Sequence, residues 1–318
     1  MARMGQSSEK RRLFSFFQIS NIGANSLAFF AGRAGIPYGK RGKGSEVSHQ
    51  LWLVSRFDPL RDECCDCPSA GHLLRLDPEV GDEQEQQLNE QTLSQRLERV
   101  AAHVPAGARL ADIGSDHGYL PVALMRRGVI AAAVAGEVAL TPFRSAERTV
   151  RENGFTQQVI VRLADGLAAI EPGDGITAVS LCGMGGETIR DILADGKARL
   201  SGQERLILQP NGGEQPLRQW LMENGYRICF EEVLRENRFY YEIIVAERAG
   251  PVTYTAQELY FGPLQMRVRS PAFLAKWQRM LRLKQRTLTH FTRARQAVPE
   301  DKVQEMARQT QWISELLA

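Results

Sequence analysis

The stretch Asp112-Ile113-Gly114-Ser115-Asp116-His117-Gly118-Tyr119-Leu120-Pro121 decides the fold. It follows a run over 109–113 that reads as a strand and leads into a helix read over 121–127. It is therefore a strand-to-helix turn, in which Gly114 lets the backbone approach a ligand at the crevice above a strand's carboxyl end. A dinucleotide-binding turn would want G-x-G-x-x-G, and here Asp116 stands in the second glycine's place. A carboxylate there repels a pyrophosphate. It suits a ligand with positive charge, such as the ammonium and sulfonium of S-adenosylmethionine.

Outward from this turn, strands and helices alternate, the signature of a parallel sheet covered on both faces. Strands are predicted over 109–113, 131–137, 159–163, 178–182 and 206–209, with helices over 121–127, 142–153, 187–195 and 215–224. Two successive strands, 227–235 and 239–247, close the series as an antiparallel hairpin at the sheet edge. Upstream, Leu93, Leu97, Val100 and Val104 recur at helical spacing behind a Thr92 or Ser94 cap. After Pro251 the texture changes to long helices. Phe273, Trp277, Leu281, Leu288 and Phe291 stripe one, and Val303, Met306, Ile313 and Leu317 stripe a second, which predicts an antiparallel pair with its basic residues facing outward.

Further acids fall at the strand ends. Glu137, next to Val138, can accept both ribose hydroxyls of a nucleoside-bearing ligand, and Asp165-Gly166 can accept from an exocyclic adenine amine. Singly, each reads equally well as a solvated strand end; three at successive ends are harder to dismiss. The fourth strand ends in Cys182-Gly183-Met184-Gly185-Gly186, where the glycines read either as a tight turn or as room for a flat substrate. For methyl transfer to a ring nitrogen the product is cationic, so an acceptor near the developing charge favours the transition state. The candidates are Asp116, His117 and the amide of Asn211. His117 reads equally as cofactor positioning or packing, and Asn211 as a helix cap.

The runs D-I-G-S-D-H-G-Y-L-P, A-G-E-V, D-G-L, G-M-G-G and L-I-L-Q-P-N, in this order, resemble the bacterial tRNA adenine N1-methyltransferases called TrmK, which modify the adenine at position 22. The resemblance covers about residues 88–318. It implies a Rossmann-like class I methyltransferase sheet with a C-terminal helical, coiled-coil-like domain. It also implies S-adenosyl-L-methionine as cofactor, held by Asp112, Gly114, Ser115, Asp116, His117, Gly118, Glu137, Val138, Asp165, Gly166, Cys182 and Gly183, and tRNA as substrate. Gly118 departs from the alanine expected there, and Thr141-Pro142-Phe143 from Gly-Pro-Phe. The domains predicted are a methyltransferase domain over 88–250 and a helical tRNA-binding domain over 251–318. Alternatives are a methyltransferase of a small molecule and an inactive RNA-binding relative.

Charge supports an RNA partner. The net +3 divides into 0 for residues 1–87, −3 for 88–254 and +6 for 255–318, and between Arg267 and Arg295 there are nine Lys or Arg and no acid. Such a block reads as a polyanion-binding surface or as a solvated helix face. Arg267, Arg269, Lys276, Arg279, Arg282 and Arg286 are the residues assigned to RNA phosphates.

The remaining composition mostly excludes. At 43% hydrophobic and 24% charged residues the chain is globular, and no apolar run reaches the roughly 20 residues of a bilayer span. A cytoplasmic location is expected, with no obligate protein partner. Five cysteines make no disulfide framework. Cys64, Cys65, Cys67 and His72 lack the paired arms of a zinc site, and no metal is expected. Cys182 and Cys229 lie in apolar runs and read as buried thiols. Residues 1–87 keep no helix or strand period, and read as a disordered or mis-assigned extension, a transit-like start being the alternative.

Overall fold

A computed structural model describes residues 89–294 and 296–318. The expectations for residues 1–87, the cysteine cluster included, lie outside the described residues. Among the described residues no helix is long and apolar enough to cross a membrane, and no group of three His, Cys, Asp or Glu is placed to hold a metal ion.

The alternation predicts what forms. In chain order the main elements are α1 (Gln95–Ala101), β1 (Ala108–Ile113), α2 (Tyr119–Arg126), β2 (Ile130–Glu137), α3 (Leu140–Glu152), β3 (Val159–Leu163), β4 (Ala178–Met184), α4 (Gly186–Asp195), β5 (Arg205–Pro210), α5 (Glu214–Glu223), β6 (Tyr226–Glu236) and β7 (Phe239–Arg248). They are followed by α6 (Ala256–Phe261), α7 (Gln265–Val268), α8 (Pro271–Thr292) and α9 (Glu300–Leu317). The strands form one seven-stranded sheet ordered β3-β2-β1-β4-β5-β7-β6. β1 to β5 are parallel, and β7 runs antiparallel between β5 and β6. This is the predicted α/β sheet with a hairpin at its edge.

Parallel strands buried on both faces read as continuous apolar runs because alternate residues serve two cores. Ala111, Ile113, Val134, Val179 and Leu181 face one core, packed by Ile189, Leu193, Leu217 and Trp220 of α4 and α5. Leu110, Ala133, Ala178 and Ile207 face the other, packed by Val100 of α1 and Leu120 and Leu124 of α2. Leu110, Leu181 and Ile207 are completely buried, each burial contributing about 1.5–3 kcal/mol.

Helix starts differ from expectation for one reason. Pro121, Pro142 and Pro216 each occupy the third position of their helix, where a missing N–H costs nothing because no intrahelical partner exists there. Reading proline as the first helical residue therefore starts α2 and α3 two residues late. Ser94, not Thr92, caps α1, its hydroxyl accepting from Leu97 N–H.

The expectation of a buried Cys229 is corrected: the residue is exposed. The β6–β7 register shifts between Ile228 and Phe230, and this bulge on an edge strand turns Cys229 outward. Cys182 is partly buried, and burial pushes its thiol well above the ordinary range.

The C-terminal helices belong to the same compact unit as the sheet. Val233 of β6, Phe261, Phe273, Trp277 and Ile313 form their shared core, with Phe261 edge-on to Trp277 at 4.7 Å between ring centres. Beneath it lies a charged network. Arg218, wholly buried, donates to Glu231 at 2.7 Å and to Glu242, and its neighbour Lys276 donates to Glu214 at 2.9 Å and to Glu242. Burial alone would pull Arg218 and Lys276 toward neutrality; Glu231 and Glu242 beside the first, and Glu242 and Glu214 beside the second, override it and hold both charged. This corrects the assignment of Lys276 to an outward RNA-binding face: it is an internal tie between α8, β7 and α5.

Candidate active site

The strand order reverses direction between β1 and β4, and a crevice opens at such a switch point above the carboxyl ends of the strands. Five connections meet there. The first is the turn 114–118. Gly114 has φ 73°, and a Cβ on it would come within 2.6 Å of Met184 Cε. Asp116 is itself left-handed at φ 58°, a conformation that Asp tolerates better than most residues. The second position of the turn thus demands a positive φ, and Asp116 meets that demand while adding a carboxylate. Its backbone N–H then donates to the Glu137 carboxylate, joining the ends of β1 and β2.

Glu137 is 5% exposed. Burial pushes its carboxyl up to about 7; the Asp116 N–H opposes this, and the nearby charges of Asp112 and Asp116 add to it. Asp112 lies deeper. One of its oxygens accepts from Ser115 Oγ and the other from Ser180 Oγ, both at 2.6 Å. Burial raises its pKa against those two hydroxyls. Asp112 is therefore a brace under the turn, and Ser180, in the middle of β4, is a site residue that sequence reasoning missed. The polar residue inside an apolar strand was its only signal.

His117 Nδ1 lies 2.6 Å from Ser145 Oγ on α3. Its ring stacks on Tyr119 with centres 5.0 Å apart, and Nε2 is 3.7 Å from an Asp116 oxygen. Gly118, at φ 70°, occupies the N-cap of α2. At the ends of β2 and β3 the apolar side chains of Val138, Leu140 and Leu163 are each about half exposed, forming a greasy lip that sequence reading named only at Val138. Asp165, exposed, precedes Gly166 at φ 52° and the short 3-10 helix Gly166–Ala169.

The loops after β4 and β5 are fused. Gly186 N–H donates to Gly212 carbonyl at 2.7 Å, and a Cβ on Gly186 would collide with the Gly213 carbonyl oxygen. Gly186 is thus explained by loop-to-loop packing and not by substrate approach, whereas Gly183 and Gly185 are exposed on the lip. Asn211 does not cap α5, whose N-cap is Gly213. Its Nδ2 donates to Gly183 carbonyl at 2.8 Å and its Oδ1 accepts from Gln209 Nε2 at 3.0 Å, so an exposed amide is held in one orientation. Buried Gln209 also accepts from Gly183 N–H at 3.0 Å and from Arg96 Nη1 at 2.5 Å. Arg96, on α1, was invisible in the sequence because its partners lie more than a hundred residues away.

The six cations assigned to RNA divide. Arg279, Arg282 and Arg286 are exposed and, at i, i+3 and i+7, share one face of α8. Arg267 is exposed on α7. Arg269 is exposed but donates to the Leu316 carbonyl at the end of α9, and Lys276 is internal.

Comparison with known proteins agrees with this arrangement. The family model for tRNA (adenine(22)-N(1))-methyltransferase, TrmK, matches residues 110–314. The tRNA (adenine(22)-N(1))-methyltransferase of Bacillus subtilis strain 168 is 37% identical over 239 residues, covering 72% of this chain and 99% of that protein. The crystal structure of the B. subtilis m1A22 tRNA methyltransferase TrmK has a TM-score of 0.67 at 36% identity, covering 72% of this chain and all of that one. A Streptococcus pneumoniae structure in complex with S-adenosyl-L-methionine has a TM-score of 0.65 at 41% identity, covering 71% and 99%. From the acid-bearing turn at β1 to the last helix, the chain belongs to the TrmK family of tRNA (adenine(22)-N(1))-methyltransferases.

Proposed function

We propose that this chain transfers a methyl group from S-adenosyl-L-methionine to N1 of the adenine at position 22 of tRNA, in the cytoplasm and without a further protein partner. The observation that carries the reading is the pair Asp116 and Glu137, locked together by a left-handed turn at the switch point. Glu137 fits a nucleoside-bearing ligand: its carboxyl, pushed up by burial, regains its charged form when hydroxyl donors reach it. Glu137 would hold the ribose, Val138, Leu140 and Leu163 would flank the adenine ring, and Asp165 would accept from its amine. Gly183 leaves room for the backbone to approach, Gly114 supplies the positive φ of the turn, and Asp116 would face the ammonium group. When bound, the sulfonium supplies an activated methyl group.

The chain's own contribution is orientation. Adenine N1 brings its own lone pair, so no base is needed to expose the nucleophile, and holding it in line supplies most of the acceleration. Positive charge develops on the adenine. The Asn211 amide oxygen, fixed by Gln209, keeps a second lone pair for the exocyclic amine, and favours that charge. Ser145 and Tyr119 hold the His117 ring in one orientation, as a positioning group. The target base must leave its stack to arrive there, and Arg279, Arg282 and Arg286, with Arg267, hold the surrounding phosphates.

The test is incubation with radiolabelled cofactor and a tRNA transcript bearing adenosine at position 22, followed by nucleoside mapping. The expected result is 1-methyladenosine at that position, and none in a transcript carrying guanosine there instead. Label confined to small molecules, or absent from RNA, overturns the reading.

A further inference from the structure

The β6–β7 hairpin is longer than the sheet needs. Its register pairs Glu236 with Phe239, Arg235 with Tyr240 and Leu234 with Tyr241, leaving only Asn237 and Arg238 at the tip. The β5–β7 ladder closes at Leu208–Ile244, and β5 stops at Pro210. Residues 239–241 of β7 therefore run past the end of β5, about 10 Å beyond the rim at ~3.3 Å per residue. β6 points the same way as β1 to β5, so this overhang stands on the side of the sheet where the catalytic loops lie.

Its side chains are of one kind. Phe239 is 37% exposed, with the Arg238 guanidinium 5.4 Å from its ring centre and the Tyr241 ring at 6.3 Å. Tyr241 in turn carries Arg96 at 5.5 Å, the same Arg96 that donates to Gln209 beneath the catalytic loop. On the other side Arg279 donates to the Arg238 carbonyl at 2.9 Å, connecting the tip to the basic face of α8. The two acids of β6 nearest the tip on this side are turned elsewhere: Glu236 accepts from Gln95 N–H at 2.7 Å and Glu232 takes a two-pronged bond from Arg99, both on α1. The tip is therefore aromatic and cationic, with Arg238, Phe239 and Arg279 exposed and Tyr241 and Arg96 half-buried, and side-chain contacts link it to the loop after β4 and to α8.

Resting on the reading of the chain as a tRNA methyltransferase, we propose that this tip is a platform for the unstacked nucleotides flanking the target adenosine. Phe239 and Tyr241 offer ring faces to bases, and Arg238 with Arg279 binds the phosphates between them. Rings interleaved with guanidiniums are the combination that grips single-stranded nucleic acid without reading its sequence. The platform lies where a base drawn out of folded RNA has to pass.

The test uses the full chain and a tRNA transcript. Affinity is measured by filter binding over a salt series, methylation by steady-state kinetics, and cofactor affinity by calorimetry. F239A should weaken tRNA binding roughly tenfold, as loss of one stacked base does, raising the KM for tRNA with little change in kcat, and F239W should restore it. R238A should reduce the salt slope by about one. Cofactor affinity should be unchanged in all three. If the wild type methylates tRNA and both F239A and R238A bind it as tightly as the wild type, the platform is refuted and the functional reading stands. If the wild type binds tRNA without methylating it and F239A weakens binding, the functional reading falls, and the tip is left as an RNA-binding surface with no target adenosine to serve. A wild type that does not bind tRNA overturns both.

Discussion

Two clusters of three carboxylates lie some distance apart on this sheet, and they are satisfied in opposite ways. At the junction with the C-terminal helices, Glu214, Glu231 and Glu242 surround Arg218 and Lys276. On the rim, Asp112 is held by two serine hydroxyls, and Glu137 by the Asp116 backbone N–H. The junction carries its cations within the chain, and Glu242 is held below the ordinary carboxylate range by Lys276 and Arg218 despite its burial. Glu231 beside it is raised by burial even against Arg218, and on the rim, with no cation among the described residues in contact, Glu137 rises to about 7. Acids paired with cations from within hold a fold together; acids crowded with their own kind have that stabilisation still to gain, which is what the proposed cofactor site would use.

The comparison breaks first at Arg218. Replacing it with methionine strands Glu231 and Glu242 in the interior and should cost about 3–5 kcal/mol of stability, measured by denaturant unfolding; an unchanged midpoint would mean the junction is not a structural device. Next comes Glu137→Ala, which should weaken cofactor binding roughly 100-fold through lost charge-assisted hydrogen bonds while the unfolding midpoint barely moves. Asp112→Ala should differ from it by losing stability as well, since Ser115 and Ser180 lose their acceptor.

A smaller effect is the pH dependence. Glu137 accepts hydroxyls best when ionised, so cofactor affinity should fall about tenfold per pH unit below about 7 and level off above it, with the slope abolished in Glu137→Gln. The stability sign is the reverse. A carboxyl raised from 4.5 to about 7 favours the ligand-free fold at acid pH, and that contribution is lost as pH rises through 7; E137Q should therefore gain stability over the wild type at pH 8 relative to pH 5. The smallest effect is reversing Arg282 and Arg286, which should lower the salt slope of tRNA binding by about two with cofactor affinity intact. Lys276→Glu should instead lower the melting temperature and leave the salt slope alone.

What could be read in advance follows the range of the interactions. Strands β1 to β5 were legible because burial on both faces writes itself as a local apolar run, and Asp116, Glu137 and Asp165 because strand ends locate themselves. Asp112's partnership with Ser180, 68 residues away, left only a polar residue inside an apolar strand as its trace, and Arg96 under Gln209 left none. Lys276 belongs to a basic run in sequence, yet its neighbours on α5 and β7 are acids, and only the packing of three elements reveals which way it faces. Cys229 was misread for the converse reason: apolar neighbours predict burial only while strict alternation holds, and a single bulge cancels it.

The tie at Lys276 also governs reach. It fastens the early turns of α8, while Arg286 sits ten residues further along, about 15 Å up the axis at ~1.5 Å per residue. Further along, Lys284 donates to Gln309 of α9, so a loosened ammonium–carboxylate grip at Lys276 would pass its slack along the rod to a distant guanidinium with only α9 to hold it. The aim of that basic face is thereby delegated to charges held mostly away from solvent.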